Sequence, residues 1–468
     1  MRVLVQLRSS PQARAAVASL DSSVSYTREV ASSIPGITVD HKFGTVAVPT
    51  PHALELGADR FSLSTPRTFA FEPTQASYLV RGTLPDATAQ QDIISLAMSN
   101  PDVVGVFADP AIESCIVCPG NRPVGAHTDV ARLLSVPALA RRGLDGAGVP
   151  LAIVDTGINL AKLVANGRHP ILDAAKSWTP TGVTTAPGNH PVNHGTMCAF
   201  DAGIAAPKAT LLDYAVLLSR RPGATTMSGL LSDAVLAYSK LLTLLSSMPP
   251  SKRALVVSNS WGMFDPSWDF PVGHPGNYSD NPAHPFNVIV ASLEHAGADI
   301  LFAAGNCGRD CPDGRCSFGS SRPICGANSH PAVLSIAGAD ITGARVGYSS
   351  QGPGRLSTRK PDVAAYTHFV GSGVYAAVGG TSAACPVAAG VLAAVRTKYP
   401  VSALSPLQLR SLVQRTAADR GGMGYDFDYG WGVLDALKLV ETLPTRRVPK
   451  KKTKPAKKTH AGRKLAKV

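Results

Sequence analysis

The sequence lacks any apolar run long enough to span a membrane, although 44% of its 468 residues are hydrophobic. It also lacks a recognisable secretory leader, because the N-terminus begins with a strand-like segment and no apolar stretch follows its charge. Taken alone, these two absences predict an intracellular, cytoplasmic protein, or else a start codon assigned at the wrong place. The length and the low charged fraction, 16%, suit one large domain with a sizeable core and some additional segments.

Acidic residues are missing from residue 446 onward, where the chain carries eleven lysines and arginines. The net charge of +13 is therefore local, because the rest of the chain sums to only +2. The same segment has no aromatic residue for base stacking and too few apolar residues to form a core, so we predict a disordered basic tail at 443–468. Such a tail would bind nucleic acid or an anionic surface weakly and nonspecifically, or would simply be solvated.

Paired Cys-x-x-Cys spacing of the kind found in common zinc modules is absent from the cluster of four cysteines that follows residue 306. Two disulfides or a four-thiolate zinc site would each hold this loop together, and the spacing favours disulfides. The remaining cysteines are expected to be a local bridge or free thiols at 115 and 118, and buried core residues at 198 and 385. The clustered residues are Cys307, Cys311, Cys316 and Cys325.

Four short motifs contain the parts of a serine hydrolase. Ser382 is the candidate nucleophile, His194 is the base that takes its proton, and Asp155 is the carboxylate that orients the base. Asn306 supplies an amide donor for the negative charge that develops on the carbonyl oxygen. In chain order the motifs are I-V-D-T-G-I-N at 153–159, N-H-G-T-M-C-A at 193–199, F-A-A-G-N at 302–306 and G-G-T-S-A-A-C-P at 379–386.

Each motif alone is weak evidence for a serine hydrolase. The triplet at Asp155 also occurs in aspartic proteases, but a single-chain enzyme of that class needs a second Asp-Thr/Ser-Gly, which this sequence lacks. A lone His-Gly-Thr or Gly-Thr-Ser is usually a turn and a helix cap. The four motifs together predict a serine endopeptidase that forms an acyl-enzyme. The alternative is a catalytically silent relative that docks partners through its cleft or its basic tail.

The Asp-His-Ser order of these motifs resembles the subtilisin family. Ser260-Trp261-Gly262 is similar to the family's substrate-binding strand, although its middle residue is usually a smaller aliphatic one. The closing pattern at 416–436 is also similar, so the resemblance covers about 136–441. It implies secretion and no required cofactor or catalytic metal. Calcium stabilises many relatives, but no ligand spacing here establishes a site. The cysteine at 198 resembles that of proteinase K-like members.

Short apolar runs separated by helical segments predict a doubly wound α/β fold with a mostly parallel sheet. Asp155 and Asn306 each lie just past the end of such a run, where sites form in these sheets. The small-residue run at 383–395 predicts a buried helix, and Pro386 is expected in its first turn, with a start near Thr381. The apolar runs lie at 150–154, 254–257, 300–303 and 333–336, with helices at 228–247 and 287–297.

Residues 1–113 contain two strand-helix-strand patterns that predict a split βαβ, ferredoxin-like sandwich. This segment resembles the inhibitory pro-domain of subtilisins, which implies that it assists folding and lays residues 108–125 into the cleft. An ordinary accessory domain is the alternative. We therefore predict a linker with a candidate processing site at 114–135 and a catalytic domain at 136–442.

The resemblance also implies that an extended peptide substrate adds as a strand along Ser260-Trp261-Gly262. Main-chain pairing confers little sequence preference. The cysteine-rich loop directly follows Asn306, so we expect it to border the primary specificity pocket and to narrow the choice of substrate. Four aspartates are candidates for favouring basic substrate side chains, with surface solvation as the alternative. They are Asp265, Asp269, Asp310 and Asp313.

Overall fold

The computed structural model describes residues 1–49, 74–85, 90–114, 122–218, 227–317 and 322–443. The predicted basic tail, apart from Leu443, lies outside these ranges, as do residues 115–121 of the predicted linker, which include Cys115 and Cys118. No helix within the described ranges combines the length and apolar character needed to cross a membrane.

An antiparallel five-stranded sheet organises residues 1–108, which we call the N-terminal unit. Its first strand lies between the fourth and the fifth, which is the strand order of a split βαβ sandwich. The elements are β1 (Arg2–Leu7), α1 (Pro11–Ala16), α2 (Leu20–Ser33), β2 (Thr38–Val39), β3 (Val46–Val48), β4 (Ser77–Thr83), α3 (Gln90–Met98) and β5 (Val103–Ala108).

Both faces of the N-terminal sheet are buried, and alternate residues of β1 show where each face packs. Val3 and Val5 belong to an apolar cluster that consists of the N-terminal unit and Phe270, whereas Leu4 belongs to a cluster that extends far into the rest of the protein. Successive strand residues point to opposite faces. One face of the sheet therefore packs on its own helices, and the other packs on the remainder of the chain.

The rest of the chain contains one short strand followed by a unit at residues 127–443, which we call the C-terminal unit. The short strand between the two units is β6 (Ala111–Ser114), and the strands of the C-terminal unit are β7 (Pro150–Val154), β8 (Ile171–Leu172), β9 (Thr210–Tyr214), β10 (Ser228–Leu230), β11 (Leu255–Asn259), β12 (Trp261–Gly262), β13 (Ala298–Ala303), β14 (Leu334–Ala339) and β15 (Val363–Tyr366). Its helices are α4 (His127–Leu133), α5 (Val136–Arg141), α6 (Leu160–Ala165), α7 (His194–Ala202), α8 (Leu231–Ser247), α9 (Pro285–Ala296), α10 (Thr381–Arg396), α11 (Pro406–Thr416) and α12 (Ala436–Thr442).

A seven-stranded parallel sheet forms the core of the C-terminal unit, in the order β15-β14-β13-β11-β7-β9-β8. Leu151 and Ile153 pack with α7 and α10 on one face, while Ala152 and Val154 pack with α8 and α9 on the other. The strands are continuous apolar runs because helices cover both faces. The predicted doubly wound α/β class is confirmed.

Two boundaries differ from the sequence-based expectation. The predicted helix at 228–247 begins only at Leu231, because Ser228–Leu230 pairs as β10 with β6. The packed core also starts before residue 136, since Val130 and Leu134 are fully buried in the same cluster as α7 and α10. Periodicity alone could not locate these boundaries, because pairing and burial depend on distant segments.

The expectation that Pro386 lies in the first turn of α10 is wrong. The helix begins at Thr381 as predicted, but Pro386 is its sixth residue and lies inside it. A proline there cannot donate to the carbonyl four residues earlier, which is that of Ser382. This carbonyl instead accepts a hydrogen bond from Ser260 Oγ at 2.9 Å and lies 3.5 Å from Cys198 Sγ. The neighbouring elements thus satisfy the acceptor that the proline leaves unpaired.

A close approach of α10 to α7 depends on Gly390. A Cβ atom at this position would lie 2.3 Å from the carbonyl oxygen of Ala202. Small residues dominate both facing surfaces, and α10 is buried along its whole length. The two helices whose N-termini carry His194 and Ser382 are therefore held at a separation that larger side chains would increase.

A buried ion pair joins the end of α10 to the start of β13. Arg396 is 2% exposed and Asp299 is 4% exposed. The guanidinium binds the carboxylate through Nε at 2.5 Å and Nη2 at 2.7 Å, and Nη1 donates to the carbonyl oxygens of Tyr399 and Leu404. With its donors satisfied, Arg396 fixes the helix that carries Ser382 to the central sheet.

We expect Arg396→Ala to lower the free energy of unfolding by about 3–5 kcal/mol, because it leaves the buried Asp299 carboxylate without its partner. Denaturant unfolding of the Ser382→Ala background would measure this without self-digestion. The matched control is Arg132→Ala, which breaks a pair with Asp129 whose side chains are 71% and 36% exposed. The control should change stability by no more than about 1 kcal/mol. Equal effects of the two variants would contradict the role assigned to Arg396.

Candidate active site

Three of the predicted site residues follow the ends of three neighbouring strands. Asp155 follows β7, Ser260 follows β11, and Asn306 lies three residues after β13. These strands are adjacent and parallel in the sheet, so their carboxyl ends meet at one edge. Parallel topology therefore brings together residues that are far apart in the sequence.

His194 and Asp155 form a buried hydrogen-bonded pair. Nδ1 of His194 lies 2.9 Å from Asp155 Oδ1 and 3.0 Å from Oδ2. The side chains are nearly inaccessible, with 6% of the histidine and 1% of the aspartate exposed. Asp155 Oδ1 also accepts a 2.7 Å hydrogen bond from the backbone amide of Thr156. The carboxylate therefore sets the orientation of the imidazole and leaves Nε2 as the nitrogen that can exchange a proton.

Ser382 is the second residue of α10, and Gly380 precedes the helix with a φ of 82° that favours glycine. Its Oγ donates to the carbonyl oxygen of Ser260 at 3.4 Å, while the Ser260 hydroxyl donates to the Ser382 carbonyl. His194 Nε2 makes no hydrogen bond with any residue in the described ranges. Contacts between nucleophile and base often tighten only when a substrate binds.

Thr381 fixes the orientation of the Asn306 side chain. The Asn306 Oδ1 atom accepts hydrogen bonds from the Thr381 amide at 2.9 Å and from the Thr381 hydroxyl at 3.0 Å. With the oxygen end held in this way, the amide nitrogen is the end that can donate to an oxyanion. Thr381 was not singled out from the sequence, although its position directly before Ser382 was a usable clue.

Cys198 lies behind the Asp155 and His194 side chains. Its Sγ atom is 3.7 Å from Asp155 Oδ2 and 3.8 Å from His194 Nδ1. Burial, and then the nearby Asp155 charge, raise the pKa of this thiol well above its usual value. Within the described part of the chain, these three residues are the one group close enough to share a metal ion. A protonated thiol is a poor metal ligand, so the arrangement favours a packing role for Cys198.

Strand β6 lies in the cleft between β10 and β12 and pairs antiparallel with both. Ser114 is opposite Trp261, and Glu113 is opposite Gly262. The Trp261 side chain is fully buried and contacts Phe302 with ring centroids 5.1 Å apart. The Trp261 side chain therefore points into the core, and the Trp261–Gly262 backbone pairs with β6 as an added strand.

A small cavity borders β12 and the residues around Asn306. Its lining includes Gly262, Phe264, Gly305, Cys307 and Cys325. The cysteine-rich loop therefore borders a small cavity beside the candidate oxyanion residue, and its expected place at the specificity pocket stays a prediction.

The expectation of two disulfides within the cysteine cluster is wrong. Cys307 and Cys316 form a disulfide, and Cys311 is also disulfide-bonded. Cys325 is a free thiol that is buried in the apolar cluster around α8 and α9. Burial raises the pKa of Cys325 to about 12. Its side chain packs in the core instead of bridging the loop, and linear spacing could not distinguish these two environments.

Asp213 supports the loop that follows Asp155, and sequence reasoning missed it. Its Oδ2 accepts from the backbone amides of Ile158 at 3.1 Å and Gly188 at 2.8 Å, and it lies 3.6 Å from His190 Nε2. Burial, opposed by these two hydrogen bonds, raises the pKa of Asp213 to about 7, and burial lowers the pKa of His190. A lone aspartate inside the apolar strand 210–214 was the available clue.

Because the folded pKa of Asp213 is above its ordinary value of 3.8, the native state holds a proton that the unfolded state releases. Stability should therefore fall as pH rises through this interval, by about 2–3 kcal/mol between pH 5 and pH 8. We expect Asp213→Asn, which keeps an oxygen acceptor but has no charge to bury, to remove this contribution. Denaturant unfolding of the Ser382→Ala background at both pH values would measure it. The same loss of stability in variant and parent would contradict the prediction.

Comparison with known proteins identifies a family and several relatives to which this chain is similar. The sequence model of the Subtilase family matches residues 146–432. The chain is 27% identical over 359 residues to the M-protease of Shouchella clausii (strain KSM-K16), which covers 74% of this chain and 78% of that protein. It is 27% identical over 315 residues to Subtilisin Savinase of Lederbergia lenta, covering 65% and 94% respectively. A third relative, the Calcium-dependent protease of Trichormus variabilis (strain ATCC 29413 / PCC 7937), is 27% identical over 380 residues, covering 70% of this chain and 51% of that protein.

Proposed function

The chain belongs to the subtilase family and is a serine-type endopeptidase, and we propose that it hydrolyses peptide bonds through an acyl-enzyme formed on Ser382. The observation that carries this proposal is the buried Asp155–His194 pair, with Nδ1 and Oδ1 2.9 Å apart, at the strand edge that also holds Ser260 and Asn306. A base held in one orientation is what a serine nucleophile requires.

In the proposed first step, Ser382 Oγ attacks the substrate carbonyl carbon and His194 Nε2 accepts the hydroxyl proton. Asp155 stabilises the resulting imidazolium, and the Asn306 amide donates to the oxyanion. Collapse of the tetrahedral intermediate breaks the peptide bond, and His194 returns the proton to the leaving amine. A water molecule then attacks the acyl-enzyme in the same way, with His194 accepting its proton and returning it to Ser382 Oγ, and the carboxylic acid product is released. These steps require no cofactor, and structural calcium is a proposal that rests only on the name of one relative.

We also propose that residues 1–113 act as an inhibitory pro-domain and folding aid. Strand β6 fills the cleft, and several contacts tie the adjoining unit to the enzyme. Asp109 accepts hydrogen bonds from the Ser232 amide at 2.7 Å and the Ser232 hydroxyl at 2.9 Å, at the start of α8. Arg81 pairs with Asp233 on the same helix at 3.4 Å. A carboxylate at a helix N-terminus is favourable, so Asp109 would hold β6 in position.

Two further proposals concern location and the basic tail. The Cys307–Cys316 disulfide supports the secreted alternative over a cytoplasmic location, because reducing compartments disfavour such bonds. The excess of lysine and arginine after residue 446 supports weak nonspecific binding of nucleic acid or anionic surfaces by the tail.

Ser382→Ala should lower peptide hydrolysis by at least about 10⁴-fold, and adding His194→Ala should lower it little further, because the residues act as one unit. Cleavage of a quenched fluorescent peptide would measure both. The matched control is Ser402→Ala, an exposed serine beyond α10 that should keep full activity. A fluorophosphonate reagent should label the parent at Ser382 and leave both Ser382→Ala variants unlabelled. An unlabelled and inactive parent would favour the silent binding protein.

Active preparations of the parent should be cut between residues 108 and 135, whereas the Ser382→Ala protein should keep its full length. Intact mass and N-terminal sequencing would locate the cut. Adding a trace of active enzyme to the Ser382→Ala protein would distinguish cleavage by another molecule from self-cleavage. Fully active enzyme with its original N-terminus would indicate a permanent accessory domain.

A further inference from the structure

We propose that Arg315 is a specificity-determining residue that selects substrates with an acidic side chain at the position that Glu113 occupies in the cleft. This inference rests on the proposed function, since it treats β6 as bound in the manner of a substrate. It adds a side-chain preference to a cleft whose main-chain pairing alone is tolerant of sequence.

Arg315 contacts β6 through both its side chain and its backbone. Nη1 donates to Glu113 Oε2 at 2.5 Å, and Nη2 donates to the carbonyl oxygen of Ser114 at 2.7 Å. The Glu113 side chain is only 9% exposed and that of Arg315 is 24% exposed, so water screens this ion pair less than one on the open surface. One guanidinium group therefore donates hydrogen bonds to a side-chain carboxylate and a backbone carbonyl of the same strand.

The pairing register of β6 indicates which residue of a bound substrate corresponds to Glu113. Glu113 is opposite Gly262 and Ser114 is opposite Trp261, so the next residue of a bound substrate would be opposite Ser260. The Ser260 carbonyl oxygen lies 3.4 Å from Ser382 Oγ. A scissile carbonyl belongs beside the nucleophile, and Glu113 thus corresponds to the third residue before the scissile bond.

The rest of the loop holds Arg315 in place. Asp313 accepts from Arg315 Nε at 3.1 Å and Nη2 at 2.6 Å, and the guanidinium carbon lies 4.4 Å from the centre of the Phe264 ring. The Asp313 amide donates to the Asn306 carbonyl oxygen at 2.8 Å. The Cys307–Cys316 disulfide closes the same loop. Such preorganisation reduces the entropy lost when a substrate binds.

The partners of the four candidate aspartates also decide whether acidic or basic substrate side chains are preferred. Asp313 is bound by Arg315, and the buried Asp269 accepts from the amides of Tyr278 and Ser279. Asp310 pairs with Arg345, and Asp265 accepts from the Ser267 amide. The charge that this loop presents to β6 is therefore the guanidinium of Arg315, which favours acidic substrate side chains over the basic ones that the aspartates suggested.

Matched quenched peptides that differ only in Glu, Gln or Lys at the third residue before the scissile bond test the preference. The parent should cleave the Glu peptide with a kcat/KM about tenfold above that of the Gln peptide, and further above that of the Lys peptide. In Arg315→Ala the Glu to Gln ratio should fall to about one, and in Arg315→Glu the Lys peptide should become preferred. The control Arg309→Ala, an exposed arginine of the same loop, should keep the parental ratio.

A ratio near one in the parent, or an unchanged ratio in Arg315→Ala, would overturn the proposal while leaving the peptidase function intact. A second measurement does not depend on hydrolysis. In the full-length Ser382→Ala protein, Arg315→Ala and Glu113→Gln should each raise amide exchange of residues 111–114 by several-fold, and Arg309→Ala should not. Unchanged exchange in both variants would overturn the proposal even if no peptide is cleaved.

Discussion

The parallel pairing of β7, β11 and β13 is the constraint on which the rest of the site depends. Helices cover both faces of each strand, so the side chains that meet at the open edge of the sheet follow the carboxyl ends of the strands. Because the strands are adjacent, Asp155, Ser260 and Asn306 emerge side by side. Asp213, within the neighbouring strand β9, then holds the loop after Asp155 through two backbone amides.

The helices that complete the site are positioned by small residues and by an unusual proline. Gly390 allows α10 to approach α7, and these two helices carry Ser382 and His194 at their N-termini. Pro386 leaves the Ser382 carbonyl without its helical partner, and Ser260 Oγ supplies the replacement. The backbone of Ser382 is thus tied directly to the segment that pairs with β6. A helix end that would ordinarily fray is fixed from outside the helix.

The loop after Asn306 connects the reaction site to the occupied cleft. Asp313 is hydrogen-bonded to the Asn306 carbonyl and also holds Arg315, which contacts Glu113 and Ser114. Asn306, the candidate oxyanion residue, therefore directly precedes the disulfide-closed segment that carries the contact with β6. In the same region, Cys325 is a buried free thiol that lines the cavity beside β12 and forms no bridge.

The sequence by itself determined the chemistry and the fold class, because both depend on local patterns. Motifs around Asp155, His194, Asn306 and Ser382 predict the reactive groups, and continuous apolar runs predict strands buried on both faces. Only the tertiary structure decided that Thr381 orients Asn306, that Pro386 lies inside α10 and that Arg315 meets Glu113. Arg315 and Glu113 are 202 residues apart in the chain. Contacts of this kind depend on loop closure and on competition among partners in three dimensions, and residue spacing along one chain does not encode them.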